Sequence, residues 1–106
     1  MNSLDTRNKI GGPLPGPDTV WVCGYFDPLL AGHLALLKAR RVAGKPLAVR
    51  ILDAPGPILP ADARARLVAA IEMVDYVAVN GQSHEPAADA HLRAAFLHDV
   101  RSRAHG

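Results

Sequence analysis

The residues best suited to chemistry in this chain lie in ten positions, Gly24 to His33, reading GYFDPLLAGH. They include two glycines, an aspartate and a histidine. Glycine lets a ligand come close to the backbone, and the first turn of a helix offers free N–H groups and partial positive charge. An apolar run, Thr19 to Cys23, precedes this stretch, and a helix-like run, Leu34 to Val42, follows it. A strand, a glycine turn and Gly32-His33 opening a helix together predict a cradle for phosphate oxygens. Open α/β sheets bind ligands in that place, beyond the C-terminal ends of their strands. The competing reading is a tight connection whose glycines serve geometry alone. An open cradle requires that the amides of the turn face a cavity and are not capped by the protein's own side chains.

The cradle needs a scaffold, and the rest of the sequence supplies one. Thr19–Cys23 is apolar on both faces, as a buried parallel strand should be. Gly32 to about Ala43 reads as a helix with Leu34 and Leu37 facing inward. Lys38, Arg40 and Arg41 lie near its C-terminal end, where the dipole favours cations. Gly44-Lys45-Pro46 stops it. Leu47–Leu52 is a second apolar strand, followed by a loop from Asp53 to Pro57. Pro60 opens a helix over Ala61–Val74, with Ala63, Leu67, Ala70, Ile71 and Val74 at helical spacing. Tyr76–Val79 is a short third strand, and Asn80–Glu85 is loop. Pro86 starts a last helix, to about Arg103, with Leu92, Phe96 and Val100 as its buried stripe. The order β-α-β-α-β-α predicts a three-layer α/β fold with a small parallel sheet and right-handed crossovers. It forms a single domain over 19–106. Residues 1–18, rich in Gly and Pro, read as a mobile or wrapping tail.

Composition narrows the function classes. With 106 residues the chain suits one compact core, and 49% hydrophobic against 21% charged residues is a globular balance. A net charge of +2, with dispersed basic residues and few aromatics, argues against a nucleic-acid partner. The single cysteine, Cys23, permits no intrachain disulfide and fits a reducing compartment. Its apolar setting makes it a buried, inert thiol. No apolar stretch is long enough for a membrane span, and the N-terminus lacks an apolar signal core. The expected location is the cytoplasm.

Two motifs add to this reading. GYFDPLLAGHLALLKAR resembles the Gly-x-Phe-Asp-x-x-His-x-Gly-His signature of cytidylyltransferase-like nucleotidyltransferases. PILPADARARLVAAIEMVDYVAV resembles a later stretch of that family, especially of its sugar-phosphate adenylyltransferase and glycerol-3-phosphate cytidylyltransferase types. The likeness runs from Val20 to Val79 and implies a Rossmann-like sheet of the HUP type, reduced here to about three strands. It also implies transfer of a nucleotidyl group from CTP or ATP to a sugar or alcohol phosphate, by in-line displacement at the α-phosphorus, with Mg²⁺ accompanying the nucleotide. By position, Gly24, Tyr25 and Phe26 would supply backbone near the phosphates. Gly32 would permit close packing, and His33 would be the second signature histidine and the catalytic one. Asp27, Asp53 and Arg64 match the signature aspartate, the acidic residue after the second strand and the helix arginine.

The pattern also has departures. Leu30 stands where the family has its first signature histidine, and losing a donor of that kind costs on the order of 10²–10³ in rate. The loop after Asp53 has no lysine, and nothing between Asn80 and Gly106 resembles the family's final motif. These features favour a weakened or lost activity, with a non-catalytic oligomeric or partner-binding module as the alternative. In the family's strand order, three-two-one-four-five, a missing fourth strand leaves the first as a bare edge. That edge invites pairing with a second copy, another subunit or the chain's own tail.

The remaining polar residues have plainer readings. Arg50, inside an apolar strand, should pair with a carboxylate such as Asp27 or Asp53, or with a ligand phosphate. Arg64 has a simple alternative as a surface partner of Asp62. Asp75 and Asp18 read as turn residues that bond nearby backbone. His84, His91, His98 and His105 recur every seven residues, about 10.5 Å apart on a helix. That is too far to share a metal ion, so they read as a solvated flank, with a pH-sensitive interface as the alternative.

Overall fold

The strand-helix alternation of the sequence is the alternation of the fold. In the computed structural model, which describes residues 9–11, 15–81 and 87–105, six elements follow in order. They are β1 (Val20–Gly24), α1 (Ala31–Arg40), β2 (Leu47–Leu52), α2 (Ala61–Ala69), β3 (Tyr76–Gly81) and α3 (Ala90–His105). The strands form one parallel sheet in the order β1-β2-β3. Val22 pairs with Val49, and Val49 with Val77. This is a small, reduced Rossmann-like α/β fold.

Side chains alternate across a sheet, so Val22, Leu47, Val49, Ile51 and Val77 share one face. All five are buried in a core with Leu37 of α1 and Ala65, Val68 and Ala69 of α2. Two right-handed crossovers that step in the same direction put both helices on that face. The opposite face carries Trp21, Ala48, Arg50 and Tyr76. The Trp21 and Tyr76 rings meet edge to face, 5.8 Å apart. The Arg50 guanidinium lies 4.8 Å from the centre of the Trp21 ring. The partner of Arg50 is therefore an aromatic face and not the carboxylate anticipated above.

The helix faces differ from the apolar spacing. In α1, Leu37 is buried but Leu34 is 43% exposed, and its place inside is taken by His33. α2 ends at Ala69 and buries Arg64, Ala65, Val68 and Ala69, while Leu67 is exposed. In α3, Leu92 and Phe96 are half-buried and Val100 is exposed, whereas Arg93 and, just ahead of the helix, Asp89 are buried. In each case a polar group that finds hydrogen-bond partners inside turns the helix away from its purely apolar stripe.

Residues 9–11 of the N-terminal stretch meet the sheet at β3. Ile10 bridges Val77 in parallel, Gly11 N–H donates to the Val77 carbonyl, and Lys9 Nζ reaches the Ile71 carbonyl. These residues lie on the outer edge of β3, opposite to β1. At β1, Ala88 N–H donates to the Cys23 carbonyl at 2.8 Å. Asp75 is an inter-strand clamp and not a self-bonded turn: Leu47 N–H donates to its carboxylate, and its own N–H donates to the Leu47 carbonyl. Among the described residues no helix is long and apolar enough to cross a membrane.

Candidate functional site

β1 hands Gly24 to a turn in which Phe26 has φ 49, a left-handed conformation that bulky residues seldom adopt. Successive amides in such a turn form an anion-binding concavity. Tyr25 N–H donates to Asp89 Oδ1, and Phe26 N–H to Asp89 Oδ2, both at 2.8 Å. His33 Nε2 lies 2.7 Å from the same Oδ2. The ring of His33 is fixed from its other side, where Leu30 N–H donates to Nδ1 at 2.9 Å. His33 N–H in turn donates to the Leu30 carbonyl. Because Nδ1 accepts, the hydrogen-bond pattern assigns the ring proton to Nε2, aimed at Asp89. The Phe26 ring packs on the imidazole with centroids 4.7 Å apart.

The donors of the turn thus converge on one anion, and that anion is the protein's own carboxylate. Asp89 immediately precedes α3 and is fully buried. Burial pushes its carboxyl up. The hydrogen bond from His33, the Phe26 and Tyr25 amides and the electrostatic attraction of the His33 ring outweigh that, and hold it below the ordinary carboxylate value. Gly24 makes the approach feasible. A Cβ there would stand 2.8 Å from Asp89 Oδ1 and 2.8 Å from the Phe26 ring.

The neighbouring charges are committed to the fold. Asp27 is buried, and its two oxygens accept from Ile58 N–H and Leu59 N–H at 2.8 Å. It thereby ties the loop after β2 to the turn. Arg64 is buried rather than paired with Asp62. Its Nη1 donates to the Tyr25 and Leu52 carbonyls and its Nε to the Leu59 carbonyl. Asp62 instead meets Arg66 on the surface. Arg93 Nη2 donates to the Pro55 and Gly56 carbonyls and lies 3.4 Å from Asp27 Oδ2. Its guanidinium stands 5.7 Å from the Tyr25 ring centre.

Of the residues singled out in the sequence, Gly24, Tyr25, Phe26 and His33 meet around Asp89. Gly32 lies against α3, where a Cβ would come within 2.9 Å of Leu92 Cδ2. Asp53 is exposed just past β2. Leu30 is the residue before α1, and its amide is used by His33. His91 and His98 are exposed on α3; His84 and the side chain of His105 lie outside the described residues. Asp89 and Arg93 were missed. An aspartate before a helix reads as an ordinary cap, and an arginine four residues on reads as its surface partner. Magnesium that accompanies a nucleotide takes one or two carboxylates together with substrate phosphates. Both oxygens of Asp27 and of Asp89 accept hydrogen bonds from the protein, and Asp53 is the exposed carboxylate of the predicted set.

No protein-family model matches the chain. It is 39% identical over 62 residues to the FAD synthase of Methanothrix thermoacetophila, a match covering 53% of this chain. The chain spans 43% of that relative's length. With the Rossmann-like parallel sheet, this similarity supports a nucleotidyltransferase-like relationship for the matched part of the chain, and it does not extend to the sugar-phosphate subtype.

Proposed function

We propose that this chain is a nucleotidyltransferase-like domain that binds CTP or ATP, the phosphate oxygens taking the Tyr25, Phe26 and His33 donors that Asp89 holds in this structure. Transfer to a sugar or alcohol phosphate is weakened or lost. The observation that carries the reading is the convergence of two backbone amides and an imidazole N–H on the oxygens of a single anion. Phosphate oxygens accept the same donors, and such fixed dipoles need no reorganisation when charge arrives. Weak transfer follows from Leu30, which offers no side-chain donor, and from Arg64, whose guanidinium is turned to carbonyl groups. Any Mg²⁺ would arrive on the triphosphate.

The test is thermal unfolding with millimolar CTP or ATP and Mg²⁺. A ligand at ten times its Kd stabilises the folded state by about 1.4 kcal/mol, or several degrees in a domain of this size. The shift should vanish in His33→Ala. No shift with either nucleotide, together with a concentration-dependent dimer in sedimentation, would favour the second reading. That reading is a non-catalytic module, with a second copy or partner subunit on the β1 edge. The carboxylate already filling the donor set speaks for it.

A further inference from the structure

Asp89 holds a position that nothing about helix α3 requires. An aspartate just ahead of a helix normally turns its carboxylate back onto the second or third amide of that helix. Here both oxygens are spent elsewhere, on Tyr25, Phe26 and His33. The Leu92 and Arg93 amides bond only the Asp89 backbone carbonyl. The carboxylate therefore has a second, local use open to it whenever it leaves the turn. The receiving groups are held by more than Asp89. Phe26 adopts its left-handed φ within the turn itself, and the His33 ring is fixed through Nδ1 by Leu30. One turn along α3, Arg93 is 8% exposed, and its Nε is a buried donor with no hydrogen-bond partner. The Asp89 carboxylate accepts from three donors, and a phosphate group, with more acceptor oxygens, can take the same three.

From this we infer that Asp89 is an internal stand-in for a ligand phosphate. Its carboxylate closes the Tyr25–Phe26–His33 site, and a phosphate group binds by displacing it onto the N-terminus of α3. The inference rests on the proposed phosphate site, but its own claim is competition between one side chain and the ligand. No bond is made or broken; a carboxylate exchanges its hydrogen-bond donors.

The experiment is calorimetric titration of the wild type, Asp89→Asn and Asp89→Ala with inorganic pyrophosphate, orthophosphate, ATP and CTP. Circular dichroism checks that each protein is folded. Asparagine keeps the shape but turns an N–H₂ or a neutral oxygen toward the donors, so both variants should release the site. Pyrophosphate should bind the variants at least tenfold more tightly than the wild type, and His33→Ala added to Asp89→Asn should remove the gain. Folded variants that bind no better than the wild type would overturn the inference. A gain for pyrophosphate that ATP and CTP do not share would keep the competition and reject the nucleotide reading. Equal, tight ATP binding by the wild type and both variants would do the reverse. If both variants unfold, nitrogen-15 spectra of the wild type decide. Saturable shifts of the Tyr25 and Phe26 amides and of His33 Nε2 with pyrophosphate support displacement, and unmoved signals refute it.

Discussion

At Asp89 two opposing effects meet on one carboxyl group. Burial favours the neutral acid, while the His33 N–H and two amides favour the anion, and the donors win. The folded group therefore titrates below its unfolded value of about 3.9. A depressed carboxyl contributes stability that is fully present above the unfolded value and disappears as pH falls through the folded one. Acidification below about pH 4 should thus weaken the wild type more steeply than Asp89→Asn. Urea unfolding of both at pH 6, 4 and 3 measures this, and parallel losses would mean that Asp89 is not held as an anion. The same residue marks the limit of reading at this scale. Gly24, Tyr25, Phe26 and His33 stand close together in the chain, so their types and spacing were legible. Asp89 reaches Tyr25 from 64 residues away, and no local pattern separates it from an ordinary cap. What the sequence presented as an open cradle is, in three dimensions, a set of donors with an acceptor already in place.

Among the elements, strands were easier to read than helix faces. A buried parallel strand is apolar throughout, so β2 matches its expected range, Leu47–Leu52, residue for residue. A helix face is decided by whatever its inward residues can bond, and apolar spacing counts only one part of that. α2 shows the consequence. Ala63, Leu67 and Ala70 would make an apolar stripe, but Arg64 gains three carbonyl partners by turning inward, and Leu67 is left 44% exposed. Those carbonyls belong to Tyr25 in the turn after β1 and to Leu52 and Leu59 at the end of β2 and in its loop. Arg64 therefore ties α2 to the C-terminal ends of two neighbouring strands. Arg64→Met should cost about 2–4 kcal/mol, because a buried acceptor left without a donor forfeits about 1–3 kcal/mol. Arg64→Lys, with one compact ammonium in place of a fork, should fall between. Denaturant unfolding gives both values; a loss under about 1 kcal/mol for Arg64→Met would place the guanidinium in water.

For the whole molecule, the two sheet edges are treated differently. On β3, Ile10 and Gly11 add a short parallel bridge. On β1 the alternation of the backbone sets which groups point outward. Val20 N–H faces inward, to the Pro46 carbonyl beside β2, and the Cys23 carbonyl faces outward, to Ala88. Odd-numbered residues of β1 therefore present their backbone groups to the outer edge, and Trp21 lies on it one repeat before the contact with Ala88. The exposed large apolar residues, Leu34, Val42, Ile58, Leu67 and Val100, are distributed over α1, α2, α3 and two loops, so they do not single out one face for a partner. The edge of β1 is the sharper place to look. In dilute protein the Trp21 amide should exchange with deuterium at least tenfold faster than that of Val22, whose N–H faces β2. The amides of β2, paired on both sides, should be slowest, and those of α3 beyond Leu97, where the described side chains are exposed, among the fastest. If a second copy pairs along β1, raising the protein concentration slows Trp21 and leaves Val22 and β2 unchanged. Protection of Trp21 that equals that of Val22 at every concentration would place a permanent cover on the edge, and would require the chain itself to supply it.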